Sequence, residues 1–112
     1  MTDDSINAEF WIMANVRRCN ADGIPAMVIQ RGDNRGGTLL LKINQFELGC
    51  KVLTQARDIE GVKKWLVAFS GKLVNEVEAD AYIRRTVNRD PDLWVVEIES
   101  PDGHHPFEGK EL

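Results

Sequence analysis

Asp90-Pro91-Asp92-Leu93-Trp94-Val95-Val96-Glu97-Ile98-Glu99 holds three structural events in ten residues. Proline disfavours the α conformation in the residue before it, so Asp90-Pro91 ends whatever helix precedes. Leu93 to Ile98 is β-branched and aromatic, the composition of a strand. Its second half alternates, with Glu97 and Glu99 on one face and Val96 and Ile98 on the other, so the strand enters a core and then leaves it. Pro101-Asp102-Gly103 closes it as a turn.

Upstream, a helix is predicted from Glu76 to Asn88. Asn75 is a suitable N-cap, and Glu78 stands three residues on, an approximation to a capping box. Glu76, Glu78 and Asp80 sit in its first half, and Arg84, Arg85 and Arg89 at its end, an order that complements the helix dipole. Ala79, Ile83 and Val87 recur at four-residue spacing and make its buried face. Before this helix come four predicted strands: Ala26 to Gln30, Thr38 to Asn44, Cys50 to Arg57 and Val62 to Phe69. Arg31-Gly32-Asp33-Asn34-Arg35-Gly36-Gly37 reads as a glycine-rich hairpin connection between the first two, using positive φ angles. Turns fall near Gln45 to Gly49 and at Asp58-Ile59-Glu60-Gly61. A first helix spans Ile6 to Asn20, with Ile6, Phe10 and Met13 in one stripe and Ile12, Val16 and Cys19 beside it. Asp4 or Ser5 is placed to cap it, and Gly23-Ile24-Pro25 ends it.

The expected fold is α+β and two-layered: a mainly antiparallel sheet of about five strands with two helices, in the order α-β-β-β-β-α-β. Connections between the four consecutive strands are too short for parallel crossovers, so only the last strand, reached through a helix, can run parallel to a neighbour. The expected core contains Phe10, Trp65, Phe69, Ile83 and Trp94. Two helices at about 8–10 Å spacing cover one face of such a sheet. Yet both faces are apolar: Leu40 opposes Leu39 and Leu41, and Leu93 and Val95 oppose Trp94 and Val96. With Gly103 to Leu112 short and polar, the uncovered face predicts a homodimer.

At 112 residues the chain is one domain, 1–112, large enough for a core without staples. Hydrophobic residues at 43% and charged residues at 29% are ordinary globular values that argue against disorder. The net charge of −4 argues against a nucleic-acid partner, which calls for a basic footprint. The acidic opening Met1-Thr2-Asp3-Asp4 is unlike a signal peptide, and the longest uncharged apolar run, Trp65 to Phe69, is too short to span a bilayer. Cys19 and Cys50 are too few for a disulfide framework or a zinc knuckle. The reading is of a soluble cytoplasmic protein with no nucleic-acid partner and no membrane contact.

No catalytic constellation emerges, no cofactor is expected, and the enzyme question leans to no. His104 and His105 are adjacent, point to opposite faces of an extended segment, and read as exposed tail residues rather than metal ligands. Ser70 in Phe69-Ser70-Gly71 lacks the flanks of a nucleophile elbow. Glu97 and Glu99 read as a solvated strand face. The glycine-rich loop is followed by Thr38 and a strand, where a phosphate loop needs Lys, Ser or Thr and a helix. The arginines are less easily explained. Arg17, Arg18, Arg31 and Arg84 are the candidate ligand-binding residues, an anion cluster if the two helices lie side by side.

With Trp11, Arg17-Arg18, Arg31-Gly32-Asp33, Lys42-Ile43-Asn44 and the block Asp90 to Glu99, the chain resembles an uncharacterised bacterial family, domain-of-unknown-function family 1491. The resemblance covers nearly the whole length and rests most on the terminal block. It implies a bacterial cytoplasmic origin and brings no established activity. The function expected is a small binding or adaptor module, engaging a protein partner or an anionic ligand. The alternative is a small enzyme acting on a phosphorylated or carboxylated metabolite, with arginines as clamps.

Overall fold

Local physics sets the elements close to where the sequence puts them. The computed structural model describes residues 7–57 and 59–111. In it α1 runs Ala8–Ala21, β1 Ala26–Gln30, β2 Leu39–Asn44, β3 Cys50–Arg57, β4 Lys63–Val67, α2 Glu76–Arg89, β5 Trp94–Glu99 and β6 Lys110–Glu111. The cap of α1 is Asn7, whose side chain accepts from the Phe10 N–H; Asp4, Ser5, Ile6 and the Asp58 corner lie outside the described residues. Asn75 caps α2 by accepting from the Glu78 N–H at 2.8 Å, and α2 ends at Arg89, just before Asp90-Pro91.

The sheet order is β1-β5-β2-β3-β4-β6. Three of its pairings are antiparallel, β1 with β5, β2 with β3 and β3 with β4. Strand β5 runs parallel to β2, as expected of the strand reached through a helix. The expected fold class, α+β with a mainly antiparallel sheet and two helices, holds. The Arg31–Gly37 segment, however, is not a hairpin. Strand β5 inserts between β1 and β2, so the segment bridges over it.

That insertion explains the glycines. A Cβ on Gly32 would lie 2.2 Å from the Asp92 carbonyl oxygen, and one on Gly37 would lie 2.5 Å from it and 2.8 Å from the Trp94 ring. Close approach of backbone to Trp94, rather than positive φ, is what excludes larger residues there. The indole Nε1 of Trp94 donates to the Asp33 carbonyl at 2.7 Å. The Ala8 and Glu9 N–H groups at the start of α1 donate to the Arg35 and Asn34 carbonyls at 3.3 and 3.1 Å. The loop therefore ties β5 to α1.

The helices do not share a face, which corrects the two-layer arrangement. Ile12, Val16 and Cys19 of α1 pack on Leu39, Leu41, Ile43, Trp94, Val96 and Ile98. Ala79 and Ile83 of α2 pack on Leu40, Val52, Leu93 and Val95, on the opposite side. Each apolar face has its own helix, so the face that predicted a homodimer is covered within the chain. The C-terminal segment also contributes, with Phe107 only 3% exposed in the α1-side core.

Of the expected core residues, Trp65, Ile83 and Trp94 are buried. Phe10 is 63% exposed, because α1 turns the Ile12–Val16–Cys19 stripe to the sheet and leaves the Phe10 stripe outside. Phe69 is half-buried and on the α2 side. Phe69 and Ser70 both adopt left-handed backbone angles, with φ 57° and 55°. That turn breaks the alternation of β4 and lays Phe69 against Tyr82, with ring centroids 5.1 Å apart.

Trp94 joins the sheet, the loop and α1. Replacing it with Ala is expected to cost about 3–5 kcal/mol, as for other buried aromatic truncations. Urea unfolding of the variant checks this, and a midpoint equal to the parent's would show that the loop carries no weight.

Candidate functional site

The four nominated arginines do not meet. Arg17 and Arg18 are exposed near the C-terminal end of α1, and Arg84 is exposed on α2, across the sheet. Arg31 lies at the other end of α1 from Arg17. It pairs with Glu9, and its guanidinium carbon sits 5.1 Å from the centroid of the Trp94 ring. Eight helical residues, about 12 Å of rise, separate Glu9 from Arg17. An anion cluster formed by all of them is not assembled. Asp80, one turn before Arg84 on α2, accepts from a buried lysine.

That lysine is Lys42, on the α2-facing side of β2 and 4% exposed. Its ammonium donates to Glu76 Oε2 at 2.7 Å and Asp80 Oδ1 at 2.8 Å, both on α2. Glu97 Oε1 of β5 lies 3.4 Å away. Burial alone would push the ammonium down; its hydrogen bonds to Asp80 and Glu76 and the Glu97 charge outweigh it and hold it well above its ordinary value. Glu97 is thus half of an ion pair and not simply a solvated acid, while Glu99 is exposed as expected. The signal was available in the sequence: a lysine two residues from Leu40 on an apolar face, and two acids four apart on the next helix. The arrangement has the chemistry of a fastener, the ammonium donating to two carboxylates with a third beside it.

Other reactive groups are equally committed. Cys19 and Cys50 are free thiols, buried, and burial pushes both above the ordinary range, away from nucleophilic character. A cleft of about 300 Å³ opens beyond the end of β5, between Gly23-Ile24 and Glu99, Ser100, Asp102 and His104. The Ser100 hydroxyl lies 2.8 Å from the His104 carbonyl and 3.1 Å from Asp102 Oδ1, and the His104 N–H donates to the same carboxylate oxygen at 3.0 Å. The His104 N–H and the Ser100 hydroxyl hold the Asp102 carboxyl below its usual range. This is a side-chain-closed turn, with serine and carboxylate spent on backbone. No group of three or more metal-ligating side chains occurs among the described residues, and no helix among them is long and apolar enough to cross a membrane.

Exposed apolar side chains also gather at one turn. The turn after β2 carries Phe46 and Leu48, 53% and 66% exposed. Phe46 has φ 59°, a conformation that costs an L-residue roughly 1–2 kcal/mol. It is locked there by its own N–H donating to Asn44 Oδ1 at 2.8 Å and by the Gln45 N–H donating to the Gly49 carbonyl at 2.8 Å. Unlike Phe69, it belongs to neither core. Cys50 and Val74 exchange two backbone hydrogen bonds, 2.6 and 3.0 Å, and a Cβ on Gly49 would lie 3.2 Å from Leu73 Cβ. Leu73, 37% exposed, therefore borders the same turn, and Val77, 81% exposed, follows in the first turn of α2. Glu47 within the turn, Lys72 before α2, and Glu76 and Glu78 in the first turn of α2 are also exposed.

Fold and site together define a small α+β domain, one helix on each face of its sheet, with exposed apolar side chains at the turn after β2. The chain belongs to the DUF1491 family, proteins of unknown function, whose sequence profile matches residues 6–108. A DUF1491 family protein from Caulobacter crescentus CB15 is similar in its crystal structure, with 32% identity, TM-score 0.83, and coverage of 95% of this chain and 98% of that one. A nuclear magnetic resonance structure of a DUF1491 family protein from the same organism gives 31% identity, TM-score 0.81, and 96% of each chain. A solution structure from A. tumefaciens, 24% identical with TM-score 0.70 over 85% of this chain and 86% of that one, shares the fold. No curated protein matches the chain.

Replacing Lys42 with Met keeps the buried stem and removes the charge. The expected loss at pH 7 is about 1–3 kcal/mol, less than for a fully sealed pair because Glu76 and Asp80 are about half exposed. Since the ammonium is held above its ordinary 10.5, the parent's advantage is complete below that pH and declines above it. Denaturant unfolding of both proteins at pH 7 and pH 11 checks the sign.

Proposed function

We propose that the chain is a non-catalytic binding module that docks a protein partner on the surface of Phe46, Leu48, Leu73 and Val77. The observation that carries this is Phe46: a bulky side chain held in a strained backbone conformation and presented to solvent, with no core contact to offset the strain. The partner segment is apolar with lysine or arginine around it, because Glu47 and Glu78 are exposed in the turn and at the start of α2. A second copy docked on the same surface would set these acids against each other, so a foreign segment is favoured over the homodimer. Arginines on opposite faces support no shared small anion. A reducing, cytoplasmic setting fits two free buried cysteines.

The parent and two variants, Phe46→Asp and the double charge reversal Glu47→Lys with Glu78→Lys, are used as bait in an extract of the source cell. A partner retained by the parent should fall at least tenfold with Phe46→Asp, and fall with the reversal and with added salt. Thermal stability should be unchanged within about 0.5 kcal/mol for Phe46→Asp, while the reversal at Glu78 in the first turn of α2 should cost about 1 kcal/mol. Retention indifferent to all three changes overturns the reading. Light scattering at twice 12.7 kDa, abolished by Phe46→Asp, would give the surface to a second copy instead. A thermal shift of several degrees with a nucleotide, sugar phosphate or carboxylic acid would favour the enzyme alternative.

A further inference from the structure

The C-terminal segment was expected to be an exposed polar tail, and it is not one. Phe107 is buried in the α1-side core and meets Trp11 edge-on, with centroids 5.7 Å apart. His105 stands edge-on to Trp65 at 6.0 Å and 6.2 Å from Phe107. Beyond them β6 pairs with β4 over only two residues, Lys110 and Glu111. Lys51 of β3 reaches both Glu111 carboxylate oxygens, at 2.6 and 2.8 Å, and Lys63 of β4 lies 3.9 Å from Glu108. Among the described contacts, two aromatic contacts, two ladder positions and the Lys51–Glu111 and Lys63–Glu108 pairs hold the segment to the body.

Its underside contains a titratable ring without a partner. His105 Nδ1 is buried and makes no hydrogen bond among the described residues. A neutral imidazole tolerates this as an unused acceptor, but an imidazolium carries a donor on each nitrogen, and the one at Nδ1 would be sealed without an acceptor. We propose that residues 105–111 form a strap that releases when His105 takes up a proton, uncovering Trp65 and the Trp11 side of the first core.

The surroundings agree in sign. Burial pushes the imidazole down from its ordinary 6.5; Glu111 pulls the other way, and His104 and Lys51 add to the lowering. From β4, Lys63 brings a further positive charge, its ammonium 4.2 Å from the Trp11 ring centroid, and α1 presents the uncharged Trp11. Among the described residues, the carboxylate that favours protonation, Glu111, is already engaged by Lys51. The closed strap keeps the ring neutral and the open strap protonates near pH 6.5. The strap is therefore closed at neutral pH and loosens as pH falls below that value. Released, it exposes tryptophan surface and the outer edge of β4, a second and pH-gated apolar surface, distinct from Phe46.

Amide hydrogen exchange of residues 107–111, corrected for intrinsic rates, tests this on the full chain. Opening should rise roughly tenfold between pH 7.5 and pH 5.5, with a red shift of tryptophan emission, while amides of β2 and β5 stay protected. His105→Phe keeps the ring contact and has no proton to gain, so its strap should show no acid response. His105→Asn, which needs no aromatic fit, should be equally flat. A parent whose strap ignores pH, or variants that open with acid as the parent does, overturns the proposal.

Discussion

Strand β5 is buried on both faces, and the rest of the molecule is arranged to allow that. Leu93 and Val95 enter the α2-side core, while Trp94, Val96 and Ile98 enter the α1-side core. A strand flanked by β1 and β2 and apolar on both sides needs a cover above and below. One helix on each face supplies it. The chain reaches this by leaving a gap between β1 and β2 for a strand made some fifty residues later. The Arg31–Gly37 loop bridges the gap, and its glycines let the backbone lie against Trp94. Such long-range pairing is slow to form, because loop closure precedes any reward from contact.

Much of this was legible. Strand ends such as Ala26–Gln30 and Cys50–Arg57, the Asn75 cap and the stop at Asp90-Pro91 are local events that neighbouring residues decide. The apolar character of both sheet faces was also legible. Which helix covers which face was not, since it depends on where β5 enters the sheet, and no local signal at Arg31–Gly37 separates a hairpin from a bridge over a third strand. The left-handed turn at Phe69-Ser70 was hidden for a related reason. Strand alternation is a rule of extended backbone, and one break in it sends Phe69 to the other core.

The site was harder to read because charge has no meaning without a partner. Arg17, Arg18, Arg31 and Arg84 stood out by type, yet exposed cations cost nothing and need no explanation. Lys42 stood out less, as one polar residue in an apolar strand, although burying it is what demands three carboxylates around it. The same holds at the C-terminus. A segment with two histidines and a proline reads as a tail until Phe107 is seen to fill a hole beside Trp11.

The sheet edges narrow where a partner can attach. On β1 the outward N–H and C=O of Ala26 are taken by the Asn20 side chain, each at 3.1 Å, so an amide from α1 stands where a next strand would begin. The register shifts between Val28 and Gln30, which bends the remainder of that edge out of a regular ladder. At the other side β6 occupies part of β4. Both are devices that discourage strand addition. Exposed Met27 and Ile29 on β1 therefore lie beside an edge already blunted, and their exposure alone does not make it a docking site. The docking surface proposed above lies instead at an end of the molecule where the backbone is fixed and apolar side chains are exposed. There, at the turn that follows β2, strain is maintained by hydrogen bonds and released into no core contact.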